Sequence, residues 1–328
     1  MRRLLATTAA LALATTLAAC GGDSSDDSSS GGSGGGGSEE VRSIRVGVIP
    51  IVDVAPIYLG VEQGFFEDRN IDVELVPGSG GAAAVPGVVS GDYDFSFGNV
   101  TSVLLAGSQG LPLRIVANGV SSTGDPATDF SGVVVPGDSP IQSAADLVGQ
   151  TVAVNNLKNI GEVTIRKAIE DAGGDPSDVE FVELPFPEMP AAVAGGNVDA
   201  AWVVEPFLTV SKGQGARSVL APFAEPIENL TVACYFTTEQ MLQEDPDLVD
   251  DFQAAMQESL AYAQANPDEV RRIILTYTQV PPAAAEAIAL PSFPEEINVE
   301  SVETVAELMQ DFGITEEQAD VDALMATD

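Results

Sequence analysis

Histidine is absent from this sequence. That removes the commonest general base and the commonest transition-metal ligand. Cysteine occurs only at Cys20 and Cys234, too few for a clustered thiolate site. No nucleophile–base pair, metal-ligand spacing or P-loop is present. Neither a catalytic residue, nor a metal, nor a cofactor is therefore expected. Basic residues are scarce too: 13 Lys and Arg stand against 50 Asp and Glu, a net charge of −37. Nucleic-acid binding needs a basic footprint and is excluded. Beyond the first twenty or so residues, no apolar run is long enough to cross a bilayer.

What is present begins with an export pattern. Arg2 and Arg3 precede an uncharged apolar run from Leu4 to Leu17, which is too short to span a membrane stably. Leu17-Ala18-Ala19-Cys20 resembles the lipobox of bacterial lipoproteins, against the alternative of an ordinary secretory signal with a chance cysteine. The expected signal is 1–19 and the expected lipidation site is Cys20. Residues 20–42 form a Gly/Ser/Asp linker that buries nothing apolar and is expected to stay disordered. Its end-to-end distance would be about 25 Å. The expected location is extracytoplasmic, on the outer face of the cell membrane, held by the lipid anchor. With Cys20 modified, Cys234 has no disulfide partner; within Leu230-Thr231-Val232-Ala233-Cys234-Tyr235-Phe236 it reads as a buried strand residue.

From about Val41 the chain alternates strands and helices. Strands are expected at 43–49, 71–76, 93–97 and 114–117, with helices at 55–63, 80–90 and 101–109. Asp53 is available to cap the first helix and Gly64 to stop it. The pattern restarts with strands at 151–155, 179–184 and 199–204 and helices at 161–172 and 190–194. Such alternation predicts parallel sheets covered by helices. After Phe236 the chain turns helical: Leu248, Phe252, Met256 and Leu260, with Ala255 and Ala263, make one apolar face. Gly91-Asp92-Tyr93-Asp94 recurs as Gly196-Asn197-Val198-Asp199 in matching context, which predicts two lobes built to one plan.

Pro56-Ile57-Tyr58-Leu59, Glu62-Gln63-Gly64-Phe65-Phe66 and Gly91-Asp92-Tyr93-Asp94-Phe95 carry a resemblance. So do Asp146-Leu147-Val148-Gly149-Gln150-Thr151-Val152 and Val198-Asp199-Ala200-Ala201-Trp202-Val203-Val204-Glu205-Pro206-Phe207. Together they resemble the ABC-transporter solute-binding proteins of the nitrate/sulfonate/taurine and thiamine-pyrimidine-precursor binding family. The resemblance covers Arg45 to Phe207 closely and the rest loosely. It implies an α/β, type II periplasmic-binding fold: two Rossmann-like lobes, two crossover segments and a ligand in the cleft. Residues 43–136 and 234–328 would form lobe 1 with the C-terminal helices, and 137–233 lobe 2. Crossovers are expected near 135–139 and 229–235. It also implies as partners a small-molecule ligand and an ABC permease with its cytoplasmic ATPase, the chain acting as a monomer.

Ligands in such folds meet the carboxyl ends of parallel strands, where loops and helix N-termini offer free donors. Candidate contacts are Pro50, Asp53 and Tyr58 after the first strand, then Gly78, Ser79 and Gly80 after the second. Asn99, Thr101 and Asn118 follow. In the second lobe they are Asn155, Lys158, Asn159, Phe186, Trp202 and Glu205. Each also has a plainer reading: turn or cap for the glycines and asparagines, core packing for Trp202, a solvated charge for Lys158. A carboxylate at Glu205 facing a closing cleft would favour an N–H-rich heterocycle over a sulfonate or nitrate; the alternative is that it pairs with a hinge residue.

The rival classes are an enzyme of the same fold, the sensor domain of a transcription regulator, and a ligand-sensing lipoprotein not coupled to import. The first wants histidine and clustered cysteines; the second wants a DNA-binding element and no export signal. The excess of 37 negative charges repels itself, and salt screens such repulsion. The unfolding midpoint should climb as salt rises from about 0.01 M to about 1 M, where the screening length falls from about 30 Å to about 3 Å. A flat response would remove the charge argument.

Overall fold

The structure, a computed structural model, describes residues 41–326. The expected signal, Cys20 and nearly all of the linker lie outside the described residues. The strands are β1 (Arg42–Val48), β2 (Ile71–Pro77), β3 (Phe95–Asn99), β4 (Leu113–Ser121), β5 (Ser131–Pro136), β6 (Thr151–Val154), β7 (Glu180–Glu183), β8 (Ala200–Val204), β9 (Ala216–Leu220) and β10 (Thr231–Thr238). The helices are α1 (Ala55–Gln63), α2 (Gly81–Ser90), α3 (Val100–Ser108), α4 (Ile160–Asp171), α5 (Met189–Ala194), α6 (Phe207–Gly213), α7 (Glu239–Glu244), α8 (Pro246–Ala265), α9 (Pro267–Tyr277), α10 (Pro282–Ala285), α11 (Val299–Asp311) and α12 (Val321–Leu324). The strands make two five-stranded sheets, ordered β2-β1-β3-β10-β4 and β7-β6-β8-β5-β9.

The two sheets follow one plan. Each has three parallel strands, then one antiparallel strand that has arrived from the other lobe, then an edge strand. The repeated Gly-x-x-Asp explains part of this. Gly91 and Gly196 take positive φ of 78° and 66°, the conformation glycine adopts without cost. Asp94 then accepts from the Arg45 amide at 2.7 Å, and Asp199 from the Thr151 amide at 2.9 Å. Asp94 thus ties its loop to the middle of β1 and Asp199 to the start of β6, the central parallel strand of each sheet.

The crossovers lie elsewhere than expected. Ser131–Pro136, read as the end of lobe 1, is β5 and pairs with β8 and β9 of the second sheet. The chain therefore crosses at 122–130 and returns at 221–230, and the lobe boundary at 136/137 moves upstream. The apolar run Val133-Val134-Val135 carries no mark of which sheet it joins; only pairing decides that. Both crossovers are tied together. Asp129 accepts from the amides of Ser131 at 2.8 Å, Phe223 at 2.9 Å and Ala224 at 3.0 Å, and the Ser122 amide donates to Leu230 O at 2.8 Å. The helix α6 and the short edge strand β9 were not foreseen either.

The C-terminal helices complete the first lobe. All six residues of the expected α8 stripe are buried. Phe252 stacks on Phe95, ring centroids 4.0 Å apart, and α8 packs on α1 and β4. Gly60 permits that approach, since a Cβ there would lie 1.9 Å from Ser259 Oγ. Gly64 stops α1 with φ of 86°, whereas Asp53 makes no cap: the N-cap is Val54 and Pro56 sits in the first turn. Cys234 is fully buried in β10, as expected, and burial raises its thiol. Among the described residues, no helix is long and apolar enough to cross a membrane.

Candidate functional site

The lobes meet where strand ends face each other. The loop after β2 carries Gly78, Ser79 and Gly80; the loop after β6 carries Asn155 to Asn159. Asn155 Nδ2 donates to Ser79 O at 3.1 Å. A Cβ on Gly80 would fall 1.8 Å from Asn156 Oδ1, so only glycine lets the loops touch. Asn159 caps α4, accepting from the Glu162 amide at 3.0 Å, and also donates to Asn155 Oδ1. One cap thereby holds Asn155 toward the other lobe. Gly78 and Ser79 are themselves exposed.

The short helical turn after β1 carries a buried carboxylate. Asp53 is 1% exposed, and its Oδ1 has no hydrogen-bond partner among the described residues. Burial pushes its carboxyl up to about 7, its own backbone N–H pulling back slightly. Three tyrosines surround it. Tyr58 and Tyr277 stack at 4.0 Å with planes 14° apart. The Tyr277 hydroxyl donates to Ile51 O at 3.0 Å. The Tyr235 hydroxyl is buried without a partner among the described residues. Burial raises both Tyr235 and Tyr277, and the nearby charges of Tyr58 and Asp53 raise them further. Thr101 Oγ1, in the first turn of α3, and Asn118 Oδ1, on β4, are likewise buried and unpartnered among those residues. Asp53, Thr101, Tyr235 and Asn118 thus sit on or just beyond the four neighbouring strands β1, β3, β10 and β4. Buried polar atoms left over in this way call for an explanation; Ser131 Oγ, Trp202 Nε1, Ser211 Oγ and Thr315 Oγ1 are others among the described residues.

A groove of about 470 Å³ opens between the lobes, within the size range of small-molecule sites. Pro50 and Tyr277 to Pro281 line one side; Pro187, Pro190, Ala191, Pro206, Phe207, Val210 and Gln214 line the other. Tyr277 belongs to both features, lining the groove while stacking on Tyr58 beside Asp53.

The remaining candidates have structural jobs. Glu205 is 1% exposed, and its carboxylate is occupied. It accepts from Thr209 N at 3.0 Å, Thr209 Oγ1 at 2.8 Å and Ala289 N at 3.2 Å. Burial raises its carboxyl and these donors lower it. The inference of an N–H-rich ligand from Glu205 therefore does not follow, because the protein already supplies its donors. Trp202 is core: Gly161 lies on its indole, where a Cβ would be 2.3 Å from Cδ2. Phe186 and Phe223 pack against it, centroids 5.4 and 5.8 Å away. Phe186 is buried behind the groove residue Phe207, rings nearly parallel at 6.1 Å. Lys158 is exposed, and its role is backbone: φ is 59° and its amide donates to Glu162 Oε2 at 2.7 Å. Asn99 is the N-cap of α3, without a side-chain cap bond. Tyr235 and Tyr277 were missed as site residues; the available signal was a tyrosine in an otherwise apolar strand and another closing an amphipathic helix.

Asp53 makes a testable statement about pH. Its folded value, about 7, exceeds its ordinary 3.8. Between those values the folded chain holds a proton that the unfolded chain has released, so stability falls as pH rises from about 4 to about 7 and then levels off. Asp53→Asn should leave stability unchanged near pH 4. Above pH 7 it should raise it, by up to about 4 kcal/mol. Denaturant unfolding across pH measures this; parallel profiles for the two proteins would contradict the assignment.

Comparison with known proteins follows the geometry. The chain is 26% identical over 225 residues to the formylaminopyrimidine-binding protein of Halalkalibacterium halodurans, covering 67% of this chain and 65% of that protein. It is 27% identical over 243 residues to the riboflavin-binding protein RibY of Chloroflexus aurantiacus, covering 72% and 66%. The match thus spans slightly under two thirds of each relative's length. The alkanesulfonate-binding protein SsuA of Xanthomonas axonopodis pv. citri superposes with a TM-score of 0.75 at 17% identity, covering 87% of this chain and 98% of that one. The fold is accordingly the two-lobed periplasmic binding-protein fold. Residues 51–270, more than half of the sequence, match the family described as NMT1/THI5 like, and the chain belongs to that family.

Proposed function

We propose that this chain is the extracytoplasmic solute-binding component of an ABC importer. It captures a small N–H-bearing heterocycle of the pyrimidine type between its lobes. The observation that carries the reading is Asp53, a buried carboxylate with an unpartnered oxygen among Tyr58, Tyr235 and Tyr277. A buried carboxylate is costly until something donates to it. An exocyclic amine or protonated ring nitrogen supplies that donor, and flat aromatic walls suit a flat ring. Above about pH 7, where Asp53 is ionised, a sulfonate or nitrate would meet it as a like charge. The relatives named for formylaminopyrimidine and riboflavin binding are consistent with a heterocycle, while a relative named for aliphatic sulfonates keeps the oxyanion as the alternative to test.

Capture works by closure. Contacts from both lobes stabilise the shut form, so ligand affinity and closure are linked. The shut form then docks on a membrane permease with its ATPase on the far side, and the ligand leaves chemically unchanged. Cys20 supplies the lipid anchor and the linker the reach. The chain acts as a monomer.

Titration calorimetry with formylaminopyrimidine, riboflavin, an alkanesulfonate and nitrate tests the ligand class. A heterocycle should bind, and Asp53→Asn should weaken it about 30- to 100-fold, the loss of a charge-assisted hydrogen bond of about 2–3 kcal/mol. Affinity should also drop as pH falls below about 7, where Asp53 takes up its proton. Binding of the sulfonate or nitrate alone would overturn the reading.

A further inference from the structure

Glu205 follows directly on β8, the central strand of the second lobe's sheet, and four segments meet on it. Its amide donates to Phe130 O at 2.9 Å, on the first crossover. Its carbonyl accepts from the Val52 amide at 3.0 Å, across the cleft and one residue before Asp53. Its carboxylate binds the start of α6 through Thr209 and, at 3.2 Å, the Ala289 amide. Ala289 belongs to a stretch that runs over the first lobe and the hinge. Within it Ser292 exchanges two backbone bonds with Ser121, at 2.9 and 3.2 Å, and Pro294 O accepts from Asn118 Nδ2 at 2.6 Å. Asn298 then bonds Thr231 Oγ1 at 2.9 Å and Asn229 O at 2.8 Å.

We infer that Glu205 is a latch: a positioning residue that favours the closed cleft by accepting from Ala289 while its backbone holds Val52, without itself touching the ligand. The geometry argues this in three steps. Two bonds to the first-lobe side, from Val52 and Ala289, converge on this one residue, so opening the cleft would break them together. The carboxylate is buried, so a donor withdrawn from it is not replaced at once by water. And Val52 adjoins Asp53, so the backbone that the latch holds is the backbone that positions the site carboxylate. Helix capping by itself would need only the Thr209 contacts.

The latch rests on the reading that the cleft works by closing, but its test needs no ligand, so the two fail separately. Hydrogen exchange is followed in the unliganded full chain, comparing the native protein with Glu205→Gln. The amide of Gln is nearly isosteric, yet it presents N–H to a ring of donors. Peptides covering 286–292 and 50–54 should exchange about tenfold faster in the variant, the loss of one hydrogen bond to a charged group. Thr209→Val serves as the capping control and should speed exchange in 206–213 alone. If Glu205→Gln also changes only 206–213, Glu205 is a helix cap and the latch is wrong. Should Glu205→Gln fail to fold, Glu205→Asp keeps the charge but is one methylene short of Ala289. It should show the same faster exchange at 286–292, and retained protection there in folded Glu205→Asp would overturn the proposal.

Discussion

A carboxylate taken out of water without a partner for one oxygen is the constraint around which this molecule is arranged. Asp53 is nearly inaccessible and holds a proton up to about pH 7 because burial disfavours its charge. An unpartnered buried group of this kind survives selection when it does something that stability alone would not retain. Its neighbours fit that view. Tyr58 and Tyr277 form a stacked wall, and Tyr235 adds a second orphaned polar atom. The contacts between the lobes involve loops and not cores: Asn155 with Ser79, Val52 with Glu205, and Ala289 with Glu205. Loop contacts are few and separable, which suits a cleft that must also open.

The lobes share a plan and exchange a strand. β10 belongs to the first sheet but arrives from the second lobe, and β5 does the reverse. Each crossover therefore ends as the antiparallel strand of a sheet, paired on both of its sides. Asp129 joins the two crossovers by accepting amides from both. The two crossovers thus form one paired strip rather than two separate linkers.

Much of this was legible in the sequence. Strand–helix alternation, the repeated Gly-x-x-Asp and the α8 stripe each rest on local periodicity; the expected elements are realised within a residue or two, except that β4 runs on to Ser121, four residues past its expected end. The crossovers were misplaced because Val133-Val134-Val135 is apolar in either lobe, and membership of a sheet is a long-range fact. The site was legible in part. Asp53 and Tyr58 stand out in the sequence because they follow the first strand, where such folds place their ligand loops. Tyr277 comes from a distant helix end, and no local pattern brings it to Tyr58. Glu205 was singled out for the right oddity, a carboxylate after five apolar residues, but its partners Thr209 and Ala289 lie on another turn and another segment. The sequence marks an unusual group; the fold decides what it faces.

The direct measurement is a crystal structure of the chain grown with formylaminopyrimidine. The account expects the ring between the lobes with an amino nitrogen about 2.8 Å from Asp53 Oδ1 and atoms of both lobes in contact with it. A ligand seated on one lobe alone, or bound with Asp53 still unpartnered, would contradict it.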